Sequence, residues 1–587
     1  MAGRHGRSRR DAPAGAVMMG SPDTSTPETV AEAFLVALRD RGVDRLFVNA
    51  GTDFATIVEA YARQKESGLG LPEVIVCAHE NLAVSMAHGS CLGDGRVQAV
   101  MLHTSVGSAN AVCAVSNAAS ARVPVLLSAG RTPLFEDSIL GSRDYGIHWA
   151  QEMFDQAGML RELVKWDYEL RDGAQVREVV DRALDRARTD PPGPVYLSLP
   201  REVLAAPTFA APAGASAPVP TRAHPDPAAV DTLAEHLATA RFPLIVTGDS
   251  GADHACVATL ADLAGRYGIG VVESGPRHVS LPADHPMHLG YRPGEVLADA
   301  DVVVTLDLDV PWLPAAVRPA DDAVVVQVGP DPHFSRYPIR SHRSDLTITA
   351  ACGPLISALG PALQARADRI DTGRTSRIEE LGGRWRARRQ ALLDAERAPG
   401  DGPITKATMN AALASVIDSG TVVVNEYWAQ AEVLAPTVPG SYLGTPPAGG
   451  LGWGLPAAIG VKLARPDATV ISTLGDGAYL FANPAACHQA MAMHGLPVLT
   501  VVCSNDHWGA VQASALKVHP DGHAAASADL SPLARLDPVP AFETYAEASG
   551  GVGIRVRSRA ELVPALEKAL RVVRSEGRQA LVNVDCL

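Results

Sequence analysis

A Gly-Asp-Gly turn at 475–477 and the asparagine that follows it, Asn505, constrain the fold of this chain more than any other feature. Asn505 lies 29 positions after Asp476. An apolar run over 468–474 leads into the turn, and a second apolar run over 496–504 leads into Asn505. Runs of this kind are typical of strands buried on both faces of a parallel sheet. The pattern therefore predicts two buried strands, each followed at its carboxyl end by a polar side chain.

A helix start lies between these two strands. Asn483 is a typical helix cap, and Pro484 suits the first helical position, where no backbone N–H is needed. Strand, turn, helix and strand form a βαβ unit, which brings the carboxyl ends of both strands to one edge of the sheet. There the carboxylate of Asp476 and the amide oxygen of Asn505 can share one hard divalent cation, and the glycine backbone leaves room for a diphosphate. The sequence thus predicts a site for a metal-diphosphate cofactor.

The composition is typical of a large soluble enzyme. The 587 residues are 47% hydrophobic, which suffices for several cores, and no apolar run is long and pure enough to span a membrane. The net charge of −14 argues against a nucleic-acid partner. The eight cysteines have no Cys-x-x-Cys spacing and mostly lie in apolar context, so we expect free thiols in a reducing compartment. These features predict a cytoplasmic protein with neither a nucleic-acid nor a membrane partner.

Strand-like apolar runs alternate with helical segments in three blocks of the chain. This alternation predicts an α/β fold with three doubly wound parallel-sheet domains. Segments rich in alanine and proline, or in charge, separate the blocks. The predicted organisation is a disordered basic tail (1–26), a first domain (27–205), a linker (206–227), a middle domain (228–360), a helical linker (361–403) and a last domain (404–587).

Further ligand-binding groups stand next to predicted turns. In the first block, Glu80 follows a strand that ends at Cys77 and stands at a helix start, where the helix dipole alone also favours a carboxylate. His103 ends another apolar strand of this block, and a histidine there is also commonly a hydrogen-bonded structural residue. In the third block, a glycine-rich turn over 448–454 enters a helix, with Leu451 as the apolar side chain among the glycines. Glycines in such a turn allow a ligand to approach the backbone closely.

As a set, Glu80, the glycines of 449–454, the Gly-Asp-Gly turn and Asn505 resemble the thiamine-diphosphate (ThDP)-dependent 2-oxo acid decarboxylases and acetolactate synthases. The resemblance covers nearly the whole chain after the tail and implies pyrimidine-binding, middle and diphosphate-binding domains in that order. It implies ThDP and Mg²⁺ as cofactors and a small-molecule 2-oxo acid as substrate. Some acetolactate synthases also hold FAD in the middle domain, but no clear dinucleotide fingerprint is present there, so FAD is the less favoured cofactor.

The resemblance also implies roles for individual residues. Asp476 and Asn505 would bind Mg²⁺ through their side chains and His507 through its backbone carbonyl, and Leu451 would hold ThDP in a bent form. Glu80 would hydrogen-bond the pyrimidine ring of a cofactor held mainly by another subunit, which implies a homodimer or homotetramer with the active site at the interface. The implied ThDP contacts are Glu80, Gly449, Gly450, Leu451, Gly475, Asp476, Gly477, Ala478 and Asn505.

The reaction that the resemblance implies is decarboxylation of a 2-oxo acid through a ThDP-bound carbanion. The product would then leave as an aldehyde or be joined to a second carbonyl, as in acetolactate synthases. Glu80 would be catalytic, because a carboxyl group shielded from water can protonate the pyrimidine and so create an internal base. The alternative is a catalytically silent paralogue that serves as an assembly or regulatory subunit. The presence of Glu80, Asp476 and Asn505 together argues against that alternative.

Within the first block, the segments 102–111 and 164–169 resemble benzoylformate decarboxylase most. This similarity implies that His103 is a catalytic proton donor or acceptor and that Thr52 contacts the substrate. The chain departs from that enzyme family at 309–314, where prolines and a tryptophan stand in place of a second catalytic histidine. Acid–base steps there must use another group, or the substrate differs.

Further departures lie near the predicted diphosphate site. Ser504 replaces the first asparagine of the usual pair, and the spacing from Asp476 to Asn505 is slightly longer than in the family. Tyr427 and Trp428 occupy a stretch where relatives often carry small hydroxyl residues. We expect these two side chains to be buried structural bulk, with shaping of the substrate pocket as the alternative. The departures indicate a divergent member of the family.

Overall fold

The computed structural model describes residues 26–208, 219–397, 400, 402–527 and 532–587. Nearly all of the predicted disordered tail and part of the first predicted linker therefore lie outside the described residues. The described residues form three separate sheets in which every named strand pair is parallel, with helices between most successive strands. This architecture confirms the predicted α/β fold with three doubly wound domains.

The first domain contains a six-stranded sheet. Its strands are Arg45–Asn49 (β1), Glu73–Val76 (β2), Gln98–Leu102 (β3), Val125–Arg131 (β4), Asp167–Glu169 (β5) and Val195–Pro200 (β6). Its helices are Val30–Asp40 (α1), Ala55–Ser67 (α2), Glu80–Asp94 (α3), Thr104–Asn110 (α4), Val112–Ser120 (α5), Ile147–Ala150 (α6), Val176–Arg188 (α7) and Arg201–Ala205 (α8). The strand order β2-β1-β3-β4-β6-β5 makes β1 and β3 neighbours, so the loops after these two strands meet at the carboxyl edge.

The middle domain contains a five-stranded sheet in the order β11-β10-β9-β7-β8. The strands are Pro243–Thr247 (β7), Gly270–Glu273 (β8), Val302–Leu306 (β9), Val324–Gly329 (β10) and Leu346–Thr349 (β11). The helices of this domain are Pro227–Thr239 (α9), His254–Tyr267 (α10) and Cys352–Gln364 (α11), and a long helix, Arg374–Arg397 (α12), then leads towards the last domain. The apolar runs of β7, β8 and β9 are buried along their whole length, as a sheet covered on both faces requires.

The last domain contains a six-stranded sheet in the order β13-β12-β14-β15-β17-β16. Its strands are Thr421–Glu426 (β12), Tyr442–Leu443 (β13), Thr469–Gly475 (β14), Leu499–Ser504 (β15), Val552–Val556 (β16) and Ala580–Asp585 (β17). Its helices are Lys406–Val416 (α13), Ala431–Leu434 (α14), Gly454–Ala464 (α15), Asp476–Phe481 (α16), Pro484–His494 (α17), Gly509–Val518 (α18), His523–Ala526 (α19), Glu543–Ala548 (α20) and Arg559–Ser575 (α21). The two buried strands predicted around the Gly-Asp-Gly turn are therefore β14 and β15, and they are adjacent.

The first and last domains are joined by the close packing of α3 against α15. A Cβ atom at Gly89 of α3 would lie 2.0 Å from the carbonyl oxygen of Ala457, and one at Gly460 of α15 would lie 2.0 Å from that of Met86. Glycine at both positions lets the two helix backbones approach each other closely. One continuous apolar core spans both domains, while the middle domain has a separate core. The packing therefore fixes the loop before α3 and the loop before α15 in position relative to each other.

Replacement of Gly89 by alanine is expected to destabilise this junction by about 1–3 kcal/mol, because a methyl group has no space between the helices. The midpoint of thermal unfolding measures the effect. Gly383→Ala is the matched control, since that glycine lies inside α12 with open space around it and alanine should there stabilise the helix by about 0.5–1 kcal/mol. An equal effect of both substitutions would contradict the packing argument.

The prediction that all cysteines are free thiols is wrong for two of them. Cys503, in β15, and Cys586, just after β17, form a disulfide with a Cα–Cα distance of 6.1 Å. They are 83 positions apart in the chain, and the pairing of β15 with β17 brings them together, so no short cysteine spacing could indicate the bond. The other cysteines are free. The cytoplasmic location stays a prediction.

The helix between β14 and β15 starts at Pro484, as predicted, but Asn483 does not cap it. Asn483 has a left-handed backbone with φ of 54°, which directs its side chain away from the helix N–H groups. Its amide nitrogen instead lies 3.5 Å from the Nδ1 atom of His79, in the first domain.

Among the described residues, no helix is both long and apolar enough to cross a membrane.

Candidate active site

The carboxyl edge of the last sheet brings together the residues predicted to bind a metal. β14 and β15 are adjacent, so α16, which starts at Asp476, faces the loop that starts at Asn505. The Oδ2 atom of Asp476 accepts hydrogen bonds from the backbone N–H groups of Asn505 at 3.0 Å and Asp506 at 2.8 Å. Its Oδ1 atom accepts one from the N–H of Gly477 at 2.8 Å. The aspartate thus holds the two turns together across the strand ends.

The carboxylate of Asp476 fits a divalent cation. Asp476 is only 4% exposed, and within the described part of the chain it forms no ion pair with a basic side chain. Burial raises its pKa, while the N–H groups of Gly477, Asn505 and Asp506 act in the opposite direction. A buried carboxylate without a cation is unfavourable, and oxygen ligands from one carboxylate, one amide and one backbone carbonyl are those that Mg²⁺ binds. No cluster of three or more histidine, cysteine or acidic side chains offers an alternative metal site among the described residues.

A cavity of about 300 Å³ opens beside this carboxylate. All of its lining residues lie between 406 and 511, in the last domain. They include most of the residues predicted to contact cofactor or metal, namely Gly449, Leu451, Gly475, Asp476, Gly477, Ala478, Asn505 and His507. Among the predicted contacts of the last domain, Gly450 is the exception, because its backbone N–H and carbonyl both bond the side-chain amide of Asn117 in the first domain.

The glycine turn that carries Leu451 is held by a buried carboxylate that the sequence patterns did not indicate. Glu426, the last residue of β12, is 1% exposed and accepts hydrogen bonds from the N–H groups of Gly452 at 2.7 Å and Gly454 at 2.5 Å. Burial raises the pKa of Glu426 to about 7. The one sequence feature that could have indicated Glu426 is the position of its carboxylate at the end of a strand, just before Tyr427. Glu426 positions the turn that brings Leu451 into the cavity.

Three further side chains of the cavity complete its wall. Trp428 is 2% exposed and its indole N–H bonds the Val501 carbonyl, so the prediction of structural bulk is confirmed for this residue. For Tyr427 that prediction is wrong, because its side chain is 57% exposed and lines the cavity. The reason is its backbone, which has a φ of 102° and turns the side chain away from the core. Lys406, the first residue of α13, adds a positive charge to the lining.

Glu80 lies in the first domain, at the first position of α3. Its Oε2 atom accepts a hydrogen bond from the side-chain amide of Asn110 at 2.6 Å. The neighbouring Asn81 bonds the Gly452 carbonyl, which ties the start of α3 to the glycine turn of the last domain. The carboxylate of Glu80 itself is not part of the lining of the 300 Å³ cavity among the described residues. The predicted site is therefore divided between two domains.

His103 and Asp53 form a close pair at the carboxyl edge of the first sheet. His103 follows β3 and Asp53 follows β1, and these adjacent strands bring His103 Nδ1 within 2.6 Å of the Asp53 carboxylate. Asp53 is 4% exposed, and a hydrogen bond to it raises the pKa of His103. Gly51 is needed here, since a Cβ atom would lie 2.2 Å from His103 Nδ1. Sequence reasoning missed Asp53, although it stands beside Thr52 in the same turn.

Thr52 and Gln151 are neighbours of this pair. Thr52 is exposed and directly precedes Asp53 in a short 3₁₀ turn. On the opposite side of the imidazole, the Nε2 atom of Gln151 lies 3.4 Å from that of His103. The negative charge of Glu80 also acts on His103 and favours its protonated form. The structure thus brings Thr52, Glu80 and His103 into one region of the first domain.

Replacement of Asp53 by asparagine is expected to lower the pKa of His103, because the hydrogen bond that His103 donates to the Asp53 carboxylate is the main cause that raises it. A histidine with a raised pKa stabilises the fold below its unfolded pKa of about 6.5, and this contribution is lost as pH rises through the folded value. The variant should therefore lose about 1.5–3 kcal/mol of unfolding free energy at about pH 5.5 and less at alkaline pH. NMR titration of labelled histidine and denaturant unfolding at both pH values measure these effects.

Asp137→Asn, an exposed substitution in a neighbouring loop, serves as the control for this prediction. A deficit in stability that is the same at both pH values would contradict a charged His103–Asp53 pair.

Comparison with known proteins identifies relatives of the whole described architecture. Residues 28–159, 230–359 and 422–584 match the N-terminal TPP binding domain, the central domain and the C-terminal TPP binding domain of the thiamine pyrophosphate enzymes. The chain is 28% identical over 580 residues to a sulfoacetaldehyde acetyltransferase of Rhodobacter capsulatus, covering 92% of each chain. It is 29% identical over 570 residues to a benzoylformate decarboxylase of Pseudomonas aeruginosa, covering 92% of this chain and 97% of that one.

Solved structures share the same fold. A 4-hydroxybenzoylformate decarboxylase of Rhodococcus jostii RHA1 superposes with a TM-score of 0.74 at 23% identity, covering 95% of this chain and 99% of that chain. A benzoylformate decarboxylase from Polynucleobacter necessarius superposes with a TM-score of 0.76 at 20% identity, with the same coverage. An acetolactate synthase large subunit of Escherichia coli is a further sequence relative, 24% identical over 580 residues and covering 94% of each chain.

Proposed function

The chain belongs to the superfamily of ThDP-dependent 2-oxo acid decarboxylases and acetolactate synthases, and from this premise we propose that it is a Mg²⁺- and ThDP-dependent enzyme that decarboxylates a 2-oxo acid. The observation that carries the proposal is the buried carboxylate of Asp476, which forms no ion pair with a basic side chain in the described part of the chain and stands beside a cavity lined in part by Gly449, Gly475 and Gly477. A silent paralogue has no chemical need for that carboxylate or for Glu80 in the first domain.

The residues of the last domain would hold the cofactor. Asp476 and Asn505 would bind Mg²⁺ through side-chain oxygens and His507 through its backbone carbonyl, and the start of α16 would face the diphosphate, as helix N-termini favour anions. Lys406 would add a positive charge to this anion site. Leu451, fixed by the turn that Glu426 holds, would support the bent cofactor. ThDP supplies, when bound, the electron sink that decarboxylation of a 2-oxo acid requires.

The residues of the first domain would hold and transfer protons. Glu80 would hold a proton towards the pyrimidine ring, at the carboxyl group that Asn110 orients. His103, whose protonated form Asp53 favours, would hold a proton at Nε2 towards the substrate, and Thr52 would contact the substrate through its hydroxyl. Asp53 acts here through His103 and is a positioning residue.

A second copy of the chain would complete each active site. The segment 133–154 exposes several large apolar side chains, including Phe135, Leu140 and Trp149, and it reaches His103 through Gln151. Exposed apolar groups in such number favour coverage by another protein surface. We propose that the partner subunit covers this segment and that Glu80 of one subunit faces the cavity of the other, in a homodimer or homotetramer.

Assays of CO₂ release from a panel of 2-oxo acids, aryl and aliphatic, test the proposed reaction. Product analysis then separates release of an aldehyde from ligation to a second carbonyl. Titration of the protein with ThDP and Mg²⁺, followed by circular dichroism, tests cofactor binding independently. CO₂ release that depends on both cofactors is the expected result. Cofactor binding without turnover of any 2-oxo acid would contradict the proposed reaction, and failure to bind ThDP would favour a silent paralogue.

A further inference from the structure

A second cavity, of about 410 Å³, lies between the first and middle domains. One wall belongs to the first domain and includes Lys165, Arg186 on α7, and the proline-rich segment 191–194. The other wall is the segment 330–337, which follows β10 of the middle domain. Ligands of open α/β sheets bind outside the carboxyl ends of the strands, and the middle-domain wall of this cavity follows the carboxyl end of β10. Its volume is within the range of small-molecule sites.

Three cations in the lining of this cavity, Lys165, Arg186 and Arg336, form no ion pair with a carboxylate among the described residues. Lys165 donates its Nζ–H to the Thr189 carbonyl at 2.5 Å, and Arg336 donates to the carbonyls of Glu162 at 2.6 Å and Val164 at 3.2 Å. Carbonyl oxygens satisfy the donors but leave the charges in place. Arg186 is exposed and pairs with no carboxylate within the described ranges. These cations face one another in a chain whose net charge is −14.

The remaining charges of the lining do not neutralise this group. Arg122 is already paired with Asp307, whereas Asp331, whose carboxylate accepts both the N–H and the hydroxyl hydrogen of Ser335 at 2.8 Å, sets one negative charge against the three cations. Burial, together with the charges of Arg186 and Arg336, lowers the pKa of Lys165 to about 8. The nearby Asp190 opposes that shift but is itself bonded to Arg222. The cavity therefore has a surplus of positive charge that a bound anion would relieve.

We propose that this cavity binds a small organic phosphate, whose anionic group contacts Lys165, Arg186 and Arg336 and whose apolar body packs against the prolines and Phe334. Three cations around one space suit a dianionic phosphate better than a single carboxylate charge. Pro191, Pro192 and Pro330 offer apolar surface for the body of the ligand. Because Arg336 belongs to the middle domain and Lys165 to the first, the bound phosphate bridges the two domains. The site lies outside both halves of the candidate active site and does not depend on the proposed reaction.

Calorimetric titration of the full-length protein, saturated with ThDP and Mg²⁺, tests this site with inorganic phosphate, phenyl phosphate and benzoate as probes. Phenyl phosphate should bind about tenfold more tightly than inorganic phosphate, because the ring adds apolar contact, and benzoate should bind more weakly than phenyl phosphate. Binding should also raise the midpoint of thermal unfolding, since only the folded protein holds the two walls together. Benzoate binding as tight as that of phenyl phosphate would contradict the phosphate assignment.

Arg186→Gln and Lys165→Met should each weaken phenyl phosphate about tenfold or more, because each removes a charged contact and keeps the side-chain stem. Arg182→Gln is the matched control, as Arg182 is exposed on the same helix but its guanidinium lies over the ring of Trp166. Asp476→Ala should bind phenyl phosphate normally, which separates this site from the diphosphate cavity. Unchanged affinity in Arg186→Gln and Lys165→Met, or no binding at about millimolar probe, would overturn the proposal.

Discussion

Replacement of Glu80 by glutamine is expected to lower turnover by about 10²- to 10⁴-fold while ThDP still binds. Glutamine keeps an oxygen that can accept the hydrogen bond from Asn110, so the start of α3 should keep its structure. It cannot hold or deliver a proton, which is the role proposed for the carboxyl group. The substitution should therefore lower the catalytic rate and leave the affinity for ThDP unchanged, because the groups proposed to hold the diphosphate lie in the last domain.

Steady-state CO₂ release and ThDP titration by circular dichroism, carried out on the same preparation, separate these two effects. Glu73→Gln is the matched control, since Glu73 is an exposed glutamate of the first domain, in the strand that precedes α3. Near-normal turnover of the Glu80 variant would contradict the proposed role of Glu80 as a proton carrier. Equal losses of turnover and of cofactor binding would instead indicate that Glu80 acts mainly in holding the cofactor.

Replacement of Asp476 by alanine is expected to abolish binding of Mg²⁺ and ThDP together. Loss of an outer-shell partner of a metal ligand typically weakens metal binding about 10- to 100-fold, so loss of a ligand itself should weaken it at least about 100-fold. The variant also leaves the N–H groups of Gly477, Asn505 and Asp506 without their acceptor, so both turns of the cavity should loosen. Activity should be lost as a consequence of the missing cofactor.

Metal analysis of the purified protein and titration with ThDP at increasing Mg²⁺ measure this outcome. Asp476→Asn separates the two roles of the side chain, because asparagine still accepts hydrogen bonds from the turns but carries no charge for the cation. Asp467→Asn, an exposed substitution just before β14, controls for a general change in charge. Normal cofactor retention in Asp476→Ala would count against the assigned metal site, whatever the activity of the Glu80 variant.

The two side chains proposed to bind the metal were predicted together because they belong to one βαβ unit. Asp476 and Asn505 stand at the ends of two buried strands that are adjacent in the sheet, so a local pattern of apolar runs and turns was enough to bring them together. The glycine turn with Leu451 was found in the same way. All of the predicted cofactor contacts in the last domain except Gly450 line one cavity.

The residues that were missed pair with partners far away in the chain. Asp53 meets His103 because β1 and β3 are neighbours, and Glu426 meets Gly452 because the end of β12 faces the start of α15. Neither pairing follows from the spacing of residue types, since strand order is decided by how the helices pack on the sheet. The cationic cavity between the first and middle domains also does not follow from the spacing of residue types, because its two walls come from different domains.

The amino-acid sequence by itself determined the three parallel sheets and the placing of Asp476 and Asn505 at one edge of the last sheet, because buried strands and tight turns follow from local runs of apolar residues and glycines. Only the tertiary structure decided which carboxylates stand beside His103 and the glycine turn, that Cys503 and Cys586 are bonded, and that Tyr427 faces the cavity. These features depend on strand register, domain contacts and a single backbone angle. Such long-range geometry leaves no periodic signal in the chain.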